Sequence, residues 1–483
     1  MRTIVDGTGA ATGSDREVDR VSAPSDEKLA AQVARLLEDE IIERGWPVGE
    51  VLGSETELRR RFGVSRSVLR EAVRLLEHEQ VGRMRRGPAG GLVVTAPDAS
   101  PATRALVIYL EYVGTRVEDL LRARSLLEPL VAGRAAEEIT EDGIAQLRSL
   151  VDRERGRDGD PGPPAEDEIH LLLGRLSGNA VLQLFTEVLI RLTQRYAQAA
   201  RADGEVAAAQ ARSASRHVEI VEAVCAGDGA AARSALSAHL GEIEAWLLTH
   251  QERPSAPMRT RPADPDPDPE PRERRKRGEV LAGRLHDDIT GGDGRQVGEV
   301  LGSEAELLVR YGVSRAVLRE AVRILEHHSV AQMRRGPGGG LVVLAPDPTA
   351  SIHTMALYLD HQGLEPEQLR VVREAVELGC VRAATAAAHA DGSVATLLRA
   401  ALDRADAFHA ALAETAGNPV LSLFLRICTE LSARQGRVGP APSPDAATEV
   451  RDVHERILDA VLLGDEGLAL HRMRRHLRSL TTS

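Results

Sequence analysis

The sequence predicts a mainly α fold in which one compact mixed unit, followed by one long antiparallel helical bundle, occurs twice. Three observations carry that expectation. First, residues 49–98, GEVLGSETELRRRFGVSRSVLREAVRLLEHEQVGRMRRGPAGGLVVTAPD, return at 298–347 as GEVLGSEAELLVRYGVSRAVLREAVRILEHHSVAQMRRGPGGGLVVLAPD, with 38 of the 50 positions identical and no gap. The constant offset of 249 positions is far longer than a solenoid period and marks a duplicated domain pair. Second, apolar residues recur at three- and four-residue spacing after each copy, in LLRARSLLEPLVAGRAA and NAVLQLFTEVLIRL, then in VVREAVELGCVRAA and NPVLSLFLRICTEL. That is the period of helices buried on one face. Third, residues 251–277 alternate Pro with Asp and Glu, a pattern that builds neither helix nor strand and reads as an extended spacer.

Composition narrows the function. At 483 residues the chain has room for about three to four domains. Apolar content of 42% supports real cores, whereas 2% aromatic residues disfavours a protein that stacks single-stranded bases. A net charge of −12 does not suggest a polyanion as partner, but the mean conceals a pattern. Residues 59–86 hold nine Arg against three Glu, and 308–335 hold six against two. Basic patches on an acidic body are the footprint expected of a duplex-DNA binder. Cys225, Cys380 and Cys428 have no metal-type spacing and read as reduced thiols. No apolar run reaches 18 residues and the start has no signal-peptide pattern, so the expectation is a cytoplasmic, nucleoid-associated protein with no membrane partner.

The elements follow in order. Residues 1–25 read as a disordered tail. The first mixed domain spans 26–98 and the first bundle 99–250. After the linker, 251–277, come the second mixed domain, 278–347, and the second bundle, 348–483. In the mixed domain Ser54 and Glu57 form S-x-x-E, a capping box that starts a helix; Ser303 and Glu306 repeat it. That helix ends near Gly63 (Gly312), in the short turn of a helix-turn-helix. The next helix turns Val68, Leu69, Ala72, Val73 and Leu76 inward. Arg66, Arg70 and Arg74 fall four apart on another face, as do Arg315, Arg319 and Arg323. An arginine near the start of such a helix can grip guanine bidentately or hold a phosphate. Ser65, Ser67 and Ser314 leave room for a close approach to the DNA backbone. A strand, a Gly/Pro turn and a β-branched strand then make a two-stranded wing. Arg85, Arg86 and Gly87, with Arg334, Arg335 and Gly336, stand at its tip. Two copies suit a two-fold partner, and inverted half-sites on duplex DNA are one.

GVSRSVLREAVRLLEHE followed by RRGPAGG resembles the winged-helix domain of the GntR family of bacterial transcriptional regulators. The bundles resemble the ligand-sensing C-terminal domain of its FadR-like (FCD) subfamily. The resemblance covers nearly the whole chain outside tail and linker. It implies that Arg66 and Arg70, with Arg315 and Arg319, contact operator DNA, and that the wing turn touches the minor groove. Two departures matter. Where a family member with a basic residue inside the first capping box would use it on DNA, this chain has Thr56 and Ala305, which implies another base preference. The duplication itself implies an internal pseudodimer, with homodimerisation of the whole chain as the alternative.

In the bundles, Glu166 and His170 are four apart on one helix face, and His217 and His239 are 22 apart. His409, His454 and His476 repeat the triad with the same late spacing. Three helix-borne imidazoles with a carboxylate suit Zn²⁺ or a similar divalent ion, with a position left for water or a ligand carboxylate. The resemblance implies an Asp four residues before the first His. Glu166 stands there in the first half; the second half has Ala405 there and Asp406 one position late. Histidines satisfied within the bundle are the competing reading. Arg124 with Glu128, and Arg373 with Glu377, fit either the steering of an anionic effector, such as an organic acid, or i,i+4 ion pairs. Asn179 and Asn418 read as helix caps. The absence of HExxH or a comparable signature argues against a metal-dependent hydrolase, so no enzyme is expected. The leading expectation is a regulator, a repressor, of operator DNA whose affinity a small effector modulates. An architectural DNA binder whose bundles only dimerise is the alternative.

Overall fold

The computed structural model describes residues 26–87, 90–155, 166–200, 206–249, 277–290, 296–327, 329–334, 336, 338–345, 347–390, 393–402, 405–436 and 444–481. The tail read at 1–25, the linker but for its last residue, and Arg335 lie outside them. The chain divides into two compact units, 1–96 and 97–483.

The first unit runs α1 (Asp26–Glu43), β1 (Val51–Gly53), α2 (Glu55–Phe62), α3 (Arg66–His78), β2 (Gly82–Arg85) and β3 (Gly91–Val94). Both halves of the capping box form: Ser54 Oγ accepts from Glu57 N at 3.3 Å and Glu57 Oε2 accepts from Ser54 N at 2.8 Å. Gly63 ends α2 at φ +63°, a left-handed conformation that costs glycine little. Val68, Leu69, Ala72, Val73 and Leu76 are all buried, as are Val33, Leu37 and Ile41 of α1, on which α3 packs. The sheet corrects the two-stranded wing expected from sequence. It has three strands in the order β1-β3-β2, with β1 antiparallel to β3. Three residues, VLG, are too few to show a period-2 pattern, so this pairing had no local signal.

The close approach of β1 to β3 depends on Gly91. A Cβ there would lie 2.5 Å from the Gly53 carbonyl oxygen, a backbone atom that cannot swing aside. Gly91→Ala is therefore expected to push β1 off the sheet and cost about 1–3 kcal/mol, as overpacking does. Denaturant melts and faster amide exchange at Val51–Gly53 would register it; an unchanged melt with protected β1 amides would remove the steric account.

The second unit opens with the first bundle: α4 (Ser100–Tyr112), α5 (Val117–Glu137), α6 (Glu141–Arg155), α7 (Glu166–Leu176), α8 (Ala180–Ala200), α9 (Val206–Cys225) and α10 (Gly229–Thr249). The second mixed domain follows as α11 (Arg277–Thr290), β4 (Val300–Gly302), α12 (Glu304–Tyr311), α13 (Arg315–His327), β5 (Ala331–Arg334) and β6 (Gly340–Val343). It repeats the strand order, the capping box and the left-handed glycine, Gly312 at φ +62°. The second bundle is α14 (Thr349–His361), α15 (Pro366–Ala390), α16 (Ser393–Ala400), α17 (Ala405–Thr415), α18 (Pro419–Gly436), α19 (Pro444–Leu462) and α20 (Glu466–Thr481).

The two bundles share a hydrophobic core that draws on α4, α5 and α8 of one and α14, α15 and α18 of the other. At its centre Phe185 and Phe424, both fully buried, stack with centroids 3.9 Å apart and planes 9° from parallel. The two asparagines cap helices and also lock this contact. Asn179 Oδ1 accepts from the backbone N of Val181 and Leu182, and Asn418 Oδ1 from those of Val420 and Leu421. Each then donates its amide across the interface, Asn179 to the Gln368 carbonyl and Asn418 to that of Asp119, both at 2.9 Å. Gln368 and Asp119 are equivalent positions in the repeat, so the two bonds cross the interface in opposite directions, as a two-fold contact requires.

Candidate nucleic-acid interface and metal centre

The nucleic-acid candidates sit at the start of α3 and on the β2–β3 hairpin. Ser65 is the cap of α3, accepting from Val68 N at 3.3 Å, and its hydroxyl lies 2.8 Å from that of Ser67. Arg66 and Arg70 project from the first turns with side chains 60% and 58% exposed. The carboxylate of Glu55, at the start of α2, takes Arg66 Nε at 2.6 Å and lies 3.9 Å from Arg70 Nε. The Arg66 guanidinium holds the Glu55 carboxyl below the usual carboxylate range. An exposed pair of this kind contributes only about 0.2–1 kcal/mol, so a phosphate can displace it while Glu55 keeps the two arginines aimed outward. Sequence reasoning missed Glu55, which lies inside the capping box and has no spacing relation to the arginines. Arg85, Arg86 and Gly87 are exposed on the hairpin, with Gly87 at φ +114°.

The second head has the same plan with fewer charges. Ser314 caps α13 through Val317 N at 3.4 Å, and Ala316 stands where the first copy has Ser67. Arg315 is 77% exposed and only reaches within 3.9 Å of Glu304. Arg319, Arg334 and Gly336 are exposed, with Gly336 at φ +106°. Leu308 and Val309 replace Arg59 and Arg60 at the end of the preceding helix.

The histidines read from the sequence converge in each bundle. In the first, His170 of α7, His217 of α9 and His239 of α10 are buried, with one ligand atom of each lying within 4.8 Å of the others. His170 Nε2 and His239 Nε2 are 3.2 Å apart. His170 Nδ1 donates to Glu128 Oε2 at 2.6 Å, and His217 Nδ1 donates to Glu154 at 2.9 Å. A carboxylate only accepts, so each of these imidazoles carries its proton on Nδ1 and presents the Nε2 lone pair. The Nε2 of His217 is buried and has no hydrogen-bond partner. In the second bundle His409 of α17, His454 of α19 and His476 of α20 are likewise buried and clustered. His476 Nε2 lies 3.0 Å from His454 Nε2 and 3.3 Å from His409 Nε2, and His409 Nδ1 donates to Glu377.

This donor set fits a zinc-class ion. Two nitrogens bound tetrahedrally at the usual zinc distance are separated by about 3.3 Å, close to all three nitrogen separations just given. Burial holds His170 and His239 below the usual imidazole range, and holds His454 and His476 down at about 3 and about 4. They are therefore neutral, the form that ligates metal. Burial opposes the charge on Glu128, yet Arg124 and His170 hold that carboxyl well below its usual range. Glu377 is likewise buried, and His409 and Arg373 pull it down to about 2.

Arg124 and Arg373 adopt the ion pairs that their spacing allowed. Arg124, 2% exposed, binds both carboxylate oxygens of Glu128 and donates to Thr193 Oγ1 at 3.2 Å. Arg373 binds Glu377 at 2.7 Å and donates to Ser432 Oγ at 3.1 Å. Each bundle thus has an Arg–Glu–His relay beside its centre. The sequence reading paired Glu128 with Arg124 but missed its second partner, His170, because the two lie 42 residues apart. Glu154 lies 63 residues from His217, so no local spacing could single it out. The side chains of Glu166, at the start of α7, and Asp406, in the first turn of α17, lie outside the described residues.

A helix-turn-helix head and a helical bundle, each present twice, define a class of DNA-binding proteins. Comparison with known families makes this specific. The model for bacterial regulatory proteins of the gntR family matches residues 29–89 and 278–341, and that for the FCD domain matches 119–242 and 368–479. The chain is 31% identical over 165 residues to the Uxu operon regulator of Haemophilus influenzae, an alignment covering 33% of this chain and 58% of that protein. It is 32% identical over 202 residues to the HTH-type transcriptional regulator LutR of Bacillus subtilis, covering 41% of this chain and 90% of LutR. Among solved structures, Streptococcus agalactiae GntR is 25% identical, with a TM-score of 0.34 over 45% of this chain and 99% of that one. The chain belongs to the GntR family of transcriptional regulators, with the helix-turn-helix and the effector-binding FCD domain each present twice. Its relatives are transcription regulators rather than enzymes. Among the described residues no helix is long and apolar enough to cross a membrane.

Proposed function

We propose that the protein is a repressor whose two heads read two half-sites of one operator from a single chain, in the cytoplasm. The observation that carries this reading is the core shared by the two bundles, with Phe185 stacked on Phe424 and the amides of Asn179 and Asn418 exchanged across it. It makes the two bundles one dimer-like body without a second chain. Arg66, Arg70, Arg315 and Arg319 would supply the base and phosphate contacts. Ser65, Ser67 and Ser314 would lie against the phosphate backbone. Arg85, Arg86 and Gly87, with Arg334, Arg335 and Gly336, would follow the adjacent groove.

In each bundle the imidazoles, His170, His217 and His239 or His409, His454 and His476, would hold a divalent ion, with Glu166 or Asp406 as the added oxygen donor. When bound, such an ion supplies a Lewis-acidic position for an anionic ligand. Glu128 and Glu377 keep their histidines in the ligating tautomer. Arg124 and Arg373 hold those glutamates and add positive charge on the side from which an organic-acid effector would be recognised. The effector acts through the difference in its affinity for the operator-bound and free arrangements.

Native mass spectrometry of the whole chain with a duplex from its own upstream region tests the pseudodimer. The expected species is one chain per duplex. Two chains per duplex as the smallest specific complex would mean four heads on a longer site and would overturn it.

A further inference from the structure

The two histidine centres differ in what holds one of their three rings. In the first centre every described element of a well-supported site is present. Glu154 at the end of α6 accepts from His217 Nδ1 at 2.9 Å, which fixes the ring and leaves its buried Nε2 free. The second centre keeps the equivalent of Glu128, since Glu377 holds His409. Among the described residues no carboxylate holds His454 as Glu154 holds His217. His454 is fully buried and its Nδ1 has no hydrogen-bond partner. Phe408 stacks on this ring at 4.2 Å with planes 15° apart. An aromatic face against the ring orients it without offering an acceptor in the ring plane.

The missing acceptor changes which nitrogen holds the proton. His454 Nε2 lies 3.0 Å from His476 Nε2. A neutral His454 that donates across this contact has its proton on the nitrogen a metal needs. The other tautomer frees Nε2 but leaves a buried Nδ1–H without an acceptor, which is unfavourable. In the first centre Glu154 removes that conflict. Groups that orient a metal-bound histidine in this way commonly change metal affinity by about 10–100-fold.

We propose that the centres are unequal: the His170–His217–His239 centre takes a zinc-class ion about 10–100-fold more tightly than the His409–His454–His476 centre. The inference rests on the metal reading above and adds an order of filling to it. The first bundle is occupied when metal is scarce, and the second responds only to higher metal.

Zinc titration of the full chain, followed by native mass spectrometry and chelator competition, tests this. The wild type is expected to fill in two resolved steps. His454→Ala should keep the tight step and His217→Ala should lose it. Glu154→Ala should weaken the first step by about 10–100-fold and merge it with the second. Circular dichroism establishes that each variant keeps its helices, and Glu154→Ala decides the matter if a histidine variant does not fold. Statistical filling of two equal sites, or a tight step that survives His217→Ala and disappears in His454→Ala, overturns the inequality and leaves the metal reading standing. Failure of the wild type to bind zinc at all overturns both.

Discussion

Replacing Arg70 and Arg319 together by alanine is expected to abolish sequence-specific binding to duplex DNA while leaving the fold intact. Both side chains are exposed on the outer face of their helices, and the residues that bury α3 and α13 lie on the opposite face. A bidentate arginine–guanine contact is worth about 1–3 kcal/mol of discrimination. Losing one in each half-site should therefore cost roughly 2–6 kcal/mol, enough to bring the operator close to the non-specific background. The single variants should be unequal. The first head keeps Arg59, Arg60 and Arg83, where the second has Leu308, Val309 and Gln332. Arg319→Ala thus removes a larger share of a smaller basic surface. Fluorescence anisotropy at several salt concentrations, on operator and on scrambled duplex, reads both effects. A double variant that still prefers its operator would sink the assignment of these helices as the reading elements.

The second large effect is expected at the contact between bundles. Phe185→Ala removes a fully buried ring and should destabilise the chain by about 3–5 kcal/mol. Phe424→Ala should do the same. Because the rings stack on each other, the double variant should cost less than the two singles together, by about 0.5–1.5 kcal/mol. Denaturant unfolding of the four proteins completes the cycle. Strict additivity would mean that the rings are buried independently and that the bundles do not meet through them.

The fold was legible where the signal was local or repeated. The capping boxes at Ser54 and Ser303, the left-handed Gly63 and Gly312 and the inward face of α3 all follow from residues within one turn of each other. The converging histidines were legible because the 22-residue spacing of His217–His239 recurs in His454–His476. Three features were not legible, each for a physical reason. β1 is three residues long and is defined only by its partner strand. Glu128 has a local partner, Arg124, that accounts for it fully at the level of sequence, while its second partner comes from another helix. The amides of Asn179 and Asn418 show a capping role in sequence, but the bonds across the interface depend on how two bundles dock, which no local pattern encodes.

The shared core has a consequence for gene dosage. Two separate chains that must meet before they grip DNA occupy a site with the square of their concentration when the dimer is weak. Here the two bundles belong to one chain and share one core, so their pairing is unimolecular and does not dilute away. Occupancy should then rise with the first power of protein concentration, and a few molecules per cell would still arrive with both hands. The same linkage frees each half from matching itself. Thr56 against Ala305, Arg59 against Leu308 and Glu166 against Ala405 are differences that no homodimer can hold, and under the proposed function they would let one polypeptide read an asymmetric site and answer two thresholds of the same signal.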